Sequence, residues 1–355
     1  MIEPGRYTSG RIAVANLSAS IESLERRRVE GASVEDLLAL SKLLCVRGDL
    51  LGCIADYDRA EVVASEAVAS SPDAAGALYI RARLAGRFHR FSEADALLDR
   101  ALAAGYPDRE VDIERAALLQ ATGRYLEALS RRSRLAKEHP GIHTVGALAS
   151  LLAEMGSWSA AEAAYAAALD ADTGVSPLPC GQLLFEWGVS AMRRSELDRA
   201  EALFGELDAM LPAHVPGRGH RAEVALARGQ VEVALGLITP LIESSDDPEY
   251  RATYAEILAA RGERQSAASQ AERAAAAYEL LLARRPEAYA DHAAAFFMGI
   301  GNRPRRAVEL ALLNWKLRDT PRSRRLLARA RRAEGRTPDL SHGGSPRRGA
   351  LEKIA

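Results

Sequence analysis

The sequence predicts an all-α chain of antiparallel helix pairs, on three observations: a composition led by alanine and leucine, a small residue recurring at near-constant spacing, and glycine or proline punctuation in register with it. Hydrophobic residues make up 48% of the 355 and aromatics only 5%, which suits close-packed helices better than a sandwich rich in Val, Ile and Tyr. The small residue falls at Ala60, Ala94, Ala128, Ala161, Ala200, Ala234 and Ala268, in steps of 34, 34, 33, 39, 34 and 34, and a looser copy centres on Ala307. A fixed period of this size marks a repeat architecture in which neighbours must stack to bury a shared core.

Each copy follows one rule. In MGSWSAAEAAYAAALDAD, Gly156 precedes Trp158, Ala161, Tyr165 and Ala168. The ladder returns as Gly123, Tyr125, Ala128, Leu135 and Pro140, as Leu197, Ala200, Phe204, Leu207 and Pro212, and as Gly229, Val231, Ala234, Ile238 and Leu241. Upstream it reads Phe91, Ala94, Leu98, Ala101, and before that Tyr57, Ala60, Ala64, Ala67, Pro72. The glycine ends a first helix in the left-handed conformation without a Cβ penalty. The small and large residues at i, i+4 and i+7 then share one face of a second helix. Pro72, Pro140, Pro212 and Pro248 stop that helix and turn the chain back.

The first of the two longer steps, from Ala161 to Ala200, places an insertion around Pro177 and Pro179, and the step to Ala307 accompanies a long helix from about Arg264 to Arg285, closed by Pro286. The expected organisation is a capping segment over 1–32 with a helix in SASIESLERRRVE, an array of about eight helix pairs over 33–334, and a disordered basic tail over 335–355.

The period and the order of small and large positions resemble the tetratricopeptide repeat, with the aromatic-Gly signature of its first helix best preserved at Trp187 and Gly188. The resemblance implies a right-handed superhelical solenoid whose hollow side holds an extended or helical peptide. It places Tyr79, Arg83, Arg87, Ile113, Gln120, His143, Ser150, Gln182, Phe185 and Arg193 on that inner wall. The Lys and Asn of the family's carboxylate clamp are missing, so the implied partner is a protein or peptide met by arginine pairing and aromatic contact. The function expected is therefore a binding scaffold. Two alternatives stay open: an accessory or regulatory subunit of an enzyme or biosynthetic system, and binding of an acidic surface or nucleic acid through the basic C-terminal region.

That region is real in charge terms: from Gly301 on there are 15 Lys/Arg against 5 Asp/Glu, in a chain of net charge −1. Trp315 is the one aromatic residue in that stretch, and none interleaves the arginines from Arg322 on as stacking on bases requires, so neither nucleic acid nor membrane is an expected partner. Catalytic apparatus, metal site and cofactor are likewise not expected. His139 and His143 have zinc-like spacing, but Pro140 and Gly141 between them forbid a continuous helix. GIGNRPRR near Gly299 lacks the strand that precedes a phosphate loop. Cys45, Cys53 and Cys180 form no CxxC pair and read as thiols of a reducing compartment. No stretch reads as a secretory signal or membrane span, so the expected location is cytoplasmic.

Overall fold

A computed structural model describes residues 5–335, in which nineteen α-helices follow one another and no strand occurs. The expected tail over 335–355 lies outside these residues apart from Gly335. The chain divides into two compact units. The first runs to Ser190 and includes Leu203–Gly217; the second comprises Ala191–Ala202 and the residues from Arg218 on.

In the first unit α1 (Gly10–Gly31) packs on α2 (Val34–Leu51). The helix expected in SASIESLERRRVE thus begins eight residues earlier, because the buried stripe of Leu17, Ile21 and Leu24 continues upstream to Gly10 at helical spacing. Hairpins then follow: α2 with α3 (Ile54–Ser70), α4 (Ala75–Arg87) with α5 (Phe91–Ala103), α6 (Asp108–Ala121) with α7 (Tyr125–Glu138), and α8 (Ile142–Glu154) with α9 (Trp158–Asp170). The unit also takes in most of α10 (Pro177–Arg193) and of α11 (Leu197–Met210).

One turn closes these hairpins. Gly123 and Gly156 sit at φ 84° and 79°, and the next residue's N–H reaches back five positions, Arg124 to the Leu119 carbonyl at 2.8 Å and Ser157 to Leu152 at 2.9 Å. This is the Schellman closure that satisfies helix-end carbonyls. In the α4–α5 turn His89 adopts the same conformation, φ 57°, with Arg90 N–H on the Ala85 carbonyl at 2.8 Å. The geometry is therefore kept where the glycine is not.

The alanine seam is buried as the spacing requires: Ala60, Ala94 and Ala128 are fully buried and Ala161 nearly so. Where helices come closest, even a methyl group is excluded. A Cβ on Gly188 of α10 would sit 2.5 Å from the Phe204 ring of α11. Beside it Trp187 stacks on Tyr165, centroids 5.4 Å apart.

The second unit takes most of α12 (Val215–Ala227), then α13 (Val231–Ile238), α14 (Leu241–Ser244), α15 (Pro248–Arg261), α16 (Arg264–Arg284), α17 (Pro286–Met298), α18 (Pro304–Leu317) and α19 (Pro321–Gly335). The helix expected to run from Val231 through Leu241 is broken at Thr239–Pro240, since proline has no N–H to continue the ladder. The long helix closed by Pro286 is present as α16. Ala200, Ala234 and Ala307 are buried seam residues. Ala268 is not: it faces solvent, and its neighbour Ala267 is buried instead. Tyr278, Phe296 and Phe297 fill the core between α16, α17 and α18, against small Ala252, Ala274, Ala307 and Ala311. Among the described residues, no helix is long and apolar enough to cross a membrane.

Candidate partner-binding face

The first helices of successive hairpins, α2, α4 and α6, bring polar and aromatic side chains together. On α4, Tyr79, Arg83 and Arg87 lie four residues apart and so share one stripe. Arg87 donates to both oxygens of Asp49 on α2, at 2.7 and 2.8 Å, while its guanidinium lies 4.3 Å above the Tyr57 ring. Tyr57 donates its hydroxyl to the same Asp49, 2.9 Å. On the other side, Arg83 Nε meets Glu114 of α6 at 2.8 Å, and Tyr79 donates to Glu114 at 3.3 Å. Tyr79 also stacks on Tyr106, centroids 4.1 Å apart.

The result is a continuous ribbon, Asp49–Arg87–Tyr57 joined through α4 to Arg83–Glu114–Tyr79–Tyr106, with two cations and two anions. Burial works against the charge of Arg87, and Asp49 outweighs it, leaving the group above its ordinary pKa. Arg83 follows the same logic with Glu114. Burial raises the Tyr57 and Tyr79 phenols, which stay neutral donors. The charged heads nevertheless remain open to solvent, Arg83 at 42% and Arg87 at 35% side-chain exposure. They are crowded by neighbouring chain on one side and wet on the other.

The other sequence-derived residues are placed as follows. Ile113 is half-buried on α6, and Gln120 is buried with no hydrogen bond to its Oε1. On α8, His143 is exposed and Ser150 half-buried. Gln182 is exposed on α10 and donates to Glu186, 3.0 Å. Phe185 is half-buried, its ring 5.3 Å from His214 and 6.3 Å from Phe204. Arg193, half-buried, falls in the second unit. Of the ten, only Tyr79, Arg83 and Arg87 are joined by the contacts described above. Sequence reasoning missed Asp49, Tyr106 and Glu114; the available signal was opposite charge about one repeat apart, Asp49 to Arg87 and Arg83 to Glu114.

A second polar cluster forms on the first helices of the second unit. His220 Nδ1 of α12 lies 2.8 Å from buried Glu223, whose other oxygen accepts from Thr253 of α15 at 3.3 Å. His292 Nδ1 of α17 lies 3.2 Å from Glu249 of α15, and Arg318 is 3.4 Å from Asp291. Glu249 and Asp291 push His292 up to about 10. Asp247 accepts from the Glu249 N–H at 2.9 Å as the cap of α15. Burial, then the Glu249 charge, pushes its carboxyl up to about 7. Among the described residues, no group of three or more His, Cys, Asp or Glu is placed to hold a metal ion.

Stacked two-helix hairpins with a small-residue seam and a repeated Schellman turn define an α-solenoid repeat protein. The particular fold is that of tetratricopeptide-repeat proteins, at low identity. The structure is similar to a chain of the APC/C hetero-tetramer Cut9–Hcn1, with 14% identity, a TM-score of 0.52, and 83% of this chain and 55% of the other covered, so it spans about half that chain's length. It is also similar to a tetratricopeptide repeat protein from Parabacteroides merdae, at 19% identity and TM-score 0.45 over 68% of this chain and 91% of that one. Yeast Tom70 is similar at 13% identity and TM-score 0.47, over 86% and 65%. No family model matches the chain, and no curated protein matches it in sequence.

Proposed function

We propose that the chain is a protein- or peptide-binding scaffold whose first unit engages its partner through the ribbon centred on α4, which Asp49 of α2, Tyr57 of α3, Tyr106 of the α5–α6 connection and Glu114 of α6 complete. One observation carries this reading. Seven aromatic and charged side chains from three consecutive hairpins converge in one strip, in which Tyr79 is buried, Tyr57 and Tyr106 are half-buried, and the arginines and their carboxylates are partly open to solvent. Arginine and tyrosine are the residue types that concentrate binding energy at interfaces.

The chemistry follows from the pairing. Arg83 and Arg87 are held by Glu114 and Asp49, so a partner carboxylate competes with an internal one for a fork already aimed outward. The half-buried rings of Tyr57 and Tyr106 supply apolar contact beside it, and buried Tyr79 backs Tyr106 by stacking. A strip of balanced charge gives little long-range steering, so selectivity rests on matching carboxylate and apolar side chains at the spacing of the hairpins.

The test is charge reversal on the exposed heads. A chain carrying Arg83→Glu and Arg87→Glu should keep its helical circular dichroism and lose most capture of partners recovered from its host. Recovery of the same partners at the same yield would remove the ribbon from the interface.

A further inference from the structure

The residues ahead of α1 make a set of contacts that stacking of hairpins does not require. Arg6 donates to the carbonyl of Leu169 at 3.1 Å, which also accepts the Asp172 N–H at 3.3 Å, and to that of Asp172, at the C-terminal end of α9 where the helix dipole favours a cation. Tyr7 donates its hydroxyl to Asp172 Oδ2 at 2.8 Å. Asp172 is itself buried, and its other oxygen accepts the Gly174 N–H at 3.0 Å. Thr8 N–H donates to the Val175 carbonyl at 2.8 Å. Gly10 abuts the end of α11, where a Cβ would lie 2.4 Å from the Met210 carbonyl oxygen and 3.0 Å from Leu211 Cα.

Each of these residues therefore meets its own recognition element: a carbonyl cage for a guanidinium, a buried carboxylate for a phenol, a backbone acceptor for an amide, and a space that admits only glycine. The partners lie about 165 residues away in sequence, and three segments build the corner: the end of α9, the 171–176 connection and the end of α11. Between this corner and the first hairpin runs α1, 22 residues or about 33 Å long. Its far end is fastened to α3 by Arg28 with Glu66, and Glu25 with Arg59. It joins α2 through Ala32 and Ser33, after Gly31 at φ 105°.

We infer that this corner is a recognition site for an extended peptide of Arg-Tyr-Thr type with glycine two residues on, and that the chain fills it in cis with its own residues 6–10. Peeling residues 6–9 away at Ser9, the residue ahead of α1, frees the site for an equivalent peptide in trans while α1 stays packed by Leu17, Ile21 and Leu24, so the segment acts as a built-in competitor. The site is separate from the α2, α4, α6 ribbon, and its test needs none of the ribbon's partners.

The probe is a fluorescein-labelled synthetic peptide of residues 5–12, titrated by anisotropy against the full chain and against the full chain carrying Gly10→Leu, which displaces the segment. The expected result is binding to the Gly10→Leu chain at least tenfold tighter than to the unaltered one, abolished when the peptide carries Tyr7→Ala. Equal affinity for both chains, no binding to the Gly10→Leu chain, or indifference to Tyr7→Ala in the peptide would each overturn the inference. If Gly10→Leu prevents folding, the Arg6→Ala, Tyr7→Ala double variant, which adds no bulk, takes its place with the same outcomes.

Discussion

The polar faces of the two units stand on equivalent first helices yet carry different chemistry. On α2, α4 and α6 arginines pair with carboxylates beside tyrosine rings, and both charged heads are wet. On α12, α15 and α17 histidines pair with carboxylates; Glu223 is buried while the His292 side chain stays 46% exposed, and burial with the Glu249 charge pushes Asp247 up to about 7. The scaffold thus fixes where polar side chains gather, and the residues at those places decide whether the cluster is a solvated contact strip or a titrating, structural one.

If that contrast holds, removing a group should cost stability in the second unit and mainly binding in the first. Glu223→Ala leaves the His220 ring and Thr253 hydroxyl without their carboxylate and should cost about 3 kcal/mol in urea unfolding. A loss near zero would make the second cluster as solvated as the first. The seam beneath both faces supplies a control: Ala128→Leu should overpack a fully buried position and cost about 2 kcal/mol. The same change at exposed Ala268 should stay within about 0.5 kcal/mol. Arg87→Met keeps the stem on Tyr57 and gives up a half-exposed ion pair, for an expected loss of about 1 kcal/mol or less.

A further effect is in pH. His292 has a folded-state pKa raised to about 10, so its contribution is complete below the unfolded value of about 6.5 and is lost as pH climbs from there towards 10. Asp247, raised to about 7, has the same sign at lower pH, with stability falling as pH rises from about 4. The thermal midpoint of His292→Gln should therefore fall less between pH 6 and pH 9 than that of the parent chain. Parallel curves would show that the ring gains nothing from Glu249 and Asp291.

The repeat was legible because a close-packed seam tolerates only small residues, and Ala60 through Ala234 print that requirement at one period. The reading slipped by one residue at Ala268 because QSAASQAERAAAAY offers alanines in every phase, and composition there cannot choose which one faces the neighbour. The break at Pro240 was present in the sequence and was overridden by the hydrophobic ladder running through it. Of the ten candidate partner-binding residues, position within the repeat identified Tyr79, Arg83 and Arg87 as neighbours, since four-residue spacing puts them on one stripe. Their companions Asp49 and Glu114 depend on how one hairpin registers on the next, which periodicity alone does not specify. The contacts of Arg6, Tyr7 and Thr8 lie beyond sequence reasoning, because no local pattern links residue 7 to residue 172.

The central claim is that the partner touches the first helices of the first unit, and site-specific photocrosslinking tests it most directly. A photoreactive amino acid placed singly at the exposed first-helix positions 83 and 87, and at the exposed second-helix positions Val62 and Leu126, should give partner adducts at the first two and background at the last two. Adducts of equal yield at 62 and 126, or none at 83 and 87 while the partner remains bound, would contradict it.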